Sequence, residues 1–175
     1  MKKLFAVAAG LVLLVGLAQG MGSRPSDGTG DRQLDSTLNK IAVEAKADPA
    51  GFIKMLSARQ GIPEQEIRQA QETQGLGAAD LFMATALANA THRPVLSVAE
   101  QYKKNQGKGW GALAQEMGIK PGSSEFHALK SGAQGSLDHM KSVSKSRQMQ
   151  ERSMKKAHAQ KMKMGPQGKA QGKSR

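Results

Sequence analysis

GKGWGALAQEMGIKPGSSEFHALK, residues 107–130, spells a short helix, a sharp corner and the start of a second helix. Trp110, Leu113, Ala114 and Met117 recur at i, i+3, i+4 and i+7, so they share one helical face. Gly118 follows where a left-handed residue ends a helix without a Cβ penalty. Ile119 stands where such a stop folds an apolar side chain back onto the last turn. Pro121 bars continuation and Gly122 permits the reversal. Ser123 or Ser124 then offers a capping hydroxyl, Glu125 suits the positive end of a helix, and Phe126 and Leu129 begin the next buried stripe. Trp110, Gly118, Pro121 and Phe126 thus read as structural residues of this corner.

The same grammar recurs upstream. Arg93-Pro94 opens a helix with Val95, Val98, Ala99 and Tyr102 on one face. Residues 78–89 (AADLFMATALAN) are apolar nearly all round, the pattern of a helix buried on several sides. Ile62-Pro63-Glu64 starts another helix that breaks at Gly75-Leu76-Gly77. Asp48-Pro49 pairs a cap with a proline at the first helical position, and that helix buries Phe52, Met55 and Leu56 before Gly61. Leu34, Leu38, Ile41, Ala42 and Ala45 keep helical spacing before it. Pro63 and Pro94 stand in similar contexts, but residue identity around them is too poor for a solenoid. The expectation is an all-α domain over residues 34–130, with about six short helices stacked as helical hairpins around residues 78–89.

Residues 1–20 read as an address. Lys2 and Lys3 precede fourteen apolar residues, Leu4–Leu17, and Ala18-Gln19-Gly20 places small residues where a signal peptidase cuts. A membrane span needs about 20 apolar residues, so the run predicts a signal peptide, cleaved after Gly20 or else after Ala18, and a periplasmic or secreted protein, with a retained N-terminal anchor as the competing reading. Residues 21–33 are rich in Gly, Ser and Asp and predict a flexible linker. The chain has no Cys, which excludes disulfides, thiolate metal sites and Cys nucleophiles.

The charge is lopsided. Residues 21–130 carry thirteen basic and twelve acidic groups, whereas residues 131–175 carry eleven and two, a net +9. Apolar periodicity fades there: Leu137, Met140 and Val143 start a stripe that Arg147 interrupts. A disordered basic tail is expected over 131–175, with at most a fraying helix between about Ser136 and Lys163. Its cations Lys141, Lys145, Arg147, Arg152, Lys155, Lys156, Lys161 and Lys163 are candidate contacts for an anionic envelope polymer or a membrane surface.

Two other chemistries are written more faintly. Met140, Met149, Met154, Met162 and Met164, with His158, supply soft donors of the kind that bind Cu(I). Ala114 and Gly118 have a spacing seen in helix-turn-helix motifs, which makes residues 110–130, with His127 and Lys130, a nucleic-acid alternative. Phe126 comes about two residues late for that motif, and an export signal removes the chain from chromosomal DNA. The glycines of residues 107–111, near Lys103, Lys104 and Lys108, lack the GxxxxGK[ST] pattern of a phosphate loop. No HExxH, no i, i+4 His pair and no GxSxG occurs, so neither an enzyme nor a cofactor is expected.

Gly109, Trp110, Gly111, Ala114, Glu116, Gly118, Lys120, Pro121, Gly122, Ser123, Phe126, His127, Leu129 and Lys130 resemble a segment of small exported bacterial proteins of unknown function. The likeness covers about 25 residues and implies a helical exported protein. It brings no activity, cofactor or catalytic residue, and leaves room for a protein partner.

Overall fold

The computed structural model describes residues 28–105 and 107–163 of the 175-residue chain. The expected signal peptide, residues 21–27 of the expected linker and residues 164–175 of the expected tail lie outside the described residues. The described residues are all-α: α1 (Arg32–Ala47), α2 (Pro49–Gln60), α3 (Glu64–Gln74), α4 (Ala78–Thr91), α5 (Val95–Lys104), α6 (Gly109–Glu116) and α7 (Ser124–Lys163).

Most boundaries follow from local chemistry. Asp48 accepts a hydrogen bond from the Gly51 N–H at 3.0 Å and Pro49 takes the first position of α2. α6 ends in the stop expected from Gly118, whose φ is 91°. The Gly118 N–H donates to the Gln115 carbonyl at 2.9 Å, and the Ile119 N–H reaches the Ala114 carbonyl at 2.8 Å. Ser123 rather than Ser124 caps α7, its hydroxyl accepting from the Phe126 N–H at 3.2 Å.

α4 is the centre of the core. Every residue from Leu81 to Ala88 is buried, and α4 packs on α1, α2, α3, α5 and α7. Leu81, Phe82 and Leu87 are fully buried, each contributing about 1.5–3 kcal/mol by leaving water. Trp110 is also fully buried. Its Nε1–H donates to Asp80 Oδ1 at 2.8 Å, and its ring stacks on Tyr102 with centroids 3.9 Å apart. α6 is thereby fastened to α4 and α5.

Five expectations change. The helices number seven among the described residues, and the last is 40 residues rather than short. Sequence neighbours do touch, but α1 packs chiefly on α7 and α3 on α5, so the order in space is not a simple run of hairpins. α6 leans on α5 while α7 leans on α1, so residues 110–130 turn a corner without forming a packed pair. The stretch expected as linker to residue 33 joins the fold from Gly28. The buried Thr29 hydroxyl and N–H both donate to Asp35 Oδ1 at 2.8 Å, and Asp31 caps α1 through the Leu34 N–H.

The fifth change is the largest. Residues 131–163, expected to be disordered, continue α7 without a break. Ala, Gln, Lys, Arg, Met and Glu are low in complexity but are also strong helix formers, and no proline interrupts them before Pro166. Ala133, Leu137 and Met140 are buried, which anchors the first half on the core. Val143 is 40% exposed and ends the buried stripe.

Candidate functional site

α7 runs parallel to α1 and is clamped to it at both ends. Lys130 Nζ lies 2.8 Å from Asp31 Oδ2, and Arg147 Nη2 lies 2.6 Å from Asp48 Oδ2. Both pairs are separated by 99 residues of sequence. The two helices therefore keep step over their shared length, about 25 Å at 1.5 Å per residue. Between the clamps the Ser144 hydroxyl donates to Glu44 Oε2 at 3.1 Å. Asp31 and Asp48 each do two jobs, capping a helix and holding a cation of α7. The hydrogen bond from Lys130, then that from the Leu34 N–H, holds the Asp31 carboxyl below the usual carboxylate range. Arg147 and the Gly51 N–H do the same to Asp48.

This clamp explains the residue that interrupts the apolar stripe. Arg147 stands where α1 stops, and the groups it meets are the carboxylate and helix start of α2. Past Arg147 α7 has no buried residue among the described ones: Gln148 to Met162 are all exposed. About 16 residues of helix, some 24 Å, thus outrun the core.

The expected anion contacts fall into two groups. Lys141 and Arg152 are eleven residues apart, as are Lys145 and Lys156, and eleven residues make about three turns. With Lys155 these side chains occupy one arc of about 100°. All five are exposed, and none is held in an ion pair with another described residue. Arg147 belongs to the Asp48 clamp instead, Lys161 faces away from the arc, and Lys163 is the last residue of α7. The structure thus brings five of the eight together as a stripe.

Other candidates are accounted for by packing. Trp110, Gly118, Pro121 and Phe126 lie around the corner between α6 and α7, with Trp110 and Phe126 buried and Pro121 in the exposed turn. Gly109 adopts φ 77°, and Gly111 lies against the backbone of Thr29, where a Cβ would run into its carbonyl. The glycines at 109 and 111 are explained by those approaches. Lys108 pairs with Glu116 at 3.5 Å. Lys130, a candidate base-reading residue in the nucleic-acid alternative, is taken up by Asp31. A shallow groove among α2, α4 and α7 is edged by Arg59, Asn89 and Glu125, but Arg59 already donates to the Gly135 carbonyl at 3.0 Å. No buried side-chain polar atom among the described residues lacks a partner, and they contain no cluster of three His, Asp or Glu that could hold a metal.

Sequence reasoning missed the carboxylates. Asp80, which receives Trp110 and the Tyr102 hydroxyl, sits in the first turn of α4, where an acidic residue is unremarkable. Asp31 sat inside a stretch whose composition suggested linker; its only signal was the cap spacing to Leu34. Compared with protein-family models, curated proteins and solved structures, the chain matches none.

Proposed function

We propose that this chain is an exported, non-enzymatic binding protein whose α7 contacts an anionic envelope polymer or surface. The helical core carries α7, and the stripe formed by Lys141, Lys145, Arg152, Lys155 and Lys156 is the contact. The carrying observation is that these five exposed cations share one face of a helix that outruns its core. A line of cations attracts a polyanion chiefly by releasing its condensed counterions, so binding weakens steeply with salt. Export rests on residues 1–20, a basic start and an apolar run followed by small residues. No helix among the described residues is long and apolar enough to cross a membrane.

The test compares residues 21–175 with a variant carrying glutamine at all five stripe positions. Both are titrated against anionic vesicles, neutral vesicles and a soluble polyanion across a salt series. With five phosphates neutralised, affinity for a flexible polyanion should fall about a hundredfold between about 50 and 200 mM salt. The variant should lose most of that dependence. Equal binding by both proteins would refute the stripe, and no binding by either would refute the whole reading. Deleting everything from Ser131 is a poorer test, because Ala133, Leu137 and Met140 belong to the core.

A further inference from the structure

The five cations of the stripe form a line. From Lys141 through Lys145, Arg152 and Lys155 to Lys156 it runs about 22 Å along the axis of α7, and all five side chains are exposed. Gln148 stands within their arc, and Ser142, Ser153 and Gln160 border it on one side. Glu151, on the other side, is the one acidic residue between Lys141 and Lys163. Past Arg147 the large apolar side chains among the described residues are Met149, Met154 and Met162, exposed at 60%, 64% and 75%. At about 100° per residue they point in three directions, about 80–140° apart. No Phe, Tyr or Trp follows Phe126 in the chain.

These placements separate the classes of anionic partner. A helix that lies in a bilayer surface buries an apolar face among the acyl chains while its cations meet the headgroups. The three methionines of the projecting part share no face, so it has nothing to lay into lipid. A single-stranded nucleic acid is held by its bases stacking on aromatic rings as well as by its phosphates, and the stripe has no ring to offer. What it does offer is a row of ammonium groups and one guanidinium, bordered by serine and glutamine. Such a row reads negative groups along a strand and nothing of their substituents. We infer that, resting on the anion-binding role already proposed, the stripe takes a flexible linear polyanion lying along α7 and not a lipid surface. Each cation that meets a strand charge releases a condensed counterion, so affinity grows with the number met at once. A strand much shorter than the line engages only part of it.

Long-chain inorganic polyphosphate is the probe, tripolyphosphate its short counterpart and phosphatidylglycerol vesicles the surface. Residues 21–175 are titrated with each at equal phosphate concentration and low salt. The long chain should bind at least tenfold more tightly than either of the others. A rearranged chain carries Lys145→Ser, Ser146→Lys, Lys156→Ala and Ala157→Lys together. It keeps composition, net charge and summed helix propensity, but turns two of the five cations about 100° off the line. Its affinity for the long chain should fall about tenfold, and its log-log salt slope should be shallower by about 1.4, two contacts' worth for a single strand. Far-UV circular dichroism checks that α7 persists. Unchanged binding by the rearranged chain would overturn the line in favour of net charge alone. Tripolyphosphate binding as tightly as the long chain would overturn it in favour of a point site. Vesicles binding as tightly as the long chain would overturn the strand and leave the anion-binding role standing, whereas no binding to any of the three would sink that role as well.

Discussion

At the scale of single residues, the clearest constraints are where backbone or ring leaves no alternative. Gly111 is one. Its missing Cβ is the space taken by the Thr29 carbonyl, so Gly111→Ala must lift the Gly28–Asp31 segment off α6. The expected loss is about 1–3 kcal/mol, read by urea unfolding, and an unchanged midpoint would refute that contact. Trp110→Phe removes both ring area and the donor that Asp80 Oδ1 receives. It should cost about 2–3 kcal/mol by the same measurement. His92 is the counterpart without a glycine. It closes α4 at φ 54°, in the left-handed region, and the Arg93 N–H reaches back to the Ala88 carbonyl at 3.0 Å. His92→Val should therefore lose about 1–2 kcal/mol, whereas His92→Gly should lose nothing. If both variants unfold at the same denaturant concentration, the left-handed cap is not what holds this turn.

At the scale of helices, α2 to α6 were legible because each boundary is written in adjacent residues. Asp48-Pro49, Gly61, Gly75 and Gly118 state their own starts and stops. The start of α1 and the first half of α7 are ordered in part by remote partners, whereas residues 148–163 are helical through their own Ala, Gln, Lys, Arg, Met and Glu. Asp31 needs Lys130 and Asp48 needs Arg147, each 99 residues away, and no local pattern announces such a pair. The fading apolar stripe after Met140 was a true signal read too broadly: it marks the end of packing, not the end of helix. These clamps also set the behaviour in acid. Both carboxyls are held below their unfolded value by a cation and a helix N–H, so they bind fewer protons folded than unfolded. Their stabilisation is complete above the unfolded carboxylate value, about 3.9, and is lost as pH falls through the lower folded values. Unfolding free energy measured from about pH 5 downward should drop less steeply in Asp31→Asn plus Asp48→Asn than in the parent chain. An identical slope would mean that the clamps carry no charge-dependent stability.

At the scale of the whole molecule, the packed core and the projecting part of α7 divide at Arg147. Every buried residue of α7 lies at or before Met140, and the second clamp closes seven residues later. A chain ending after Arg147 therefore keeps its packing and both ion pairs. Its unfolding temperature should stay within about 2–4 °C of the parent, since exposed residues away from contacts shift stability by roughly 0.5 kcal/mol or less. A chain ending after Gln134 loses Leu137 and Met140 from the core and Arg147 from Asp48. Each large apolar side chain removed costs about 2–5 kcal/mol, against a total stability of about 5–15 kcal/mol for a domain, so this shorter chain should lose its cooperative transition. Binding should follow the opposite division. Ending at Arg147 removes Arg152, Lys155 and Lys156 from the stripe, leaving Lys141 and Lys145. Polyanion affinity should then fall sharply while the melting curve barely moves. A large fall in melting temperature for the Arg147 chain would mean that residues 148–163 pack on something after all, and the division into carrier and arm would fail.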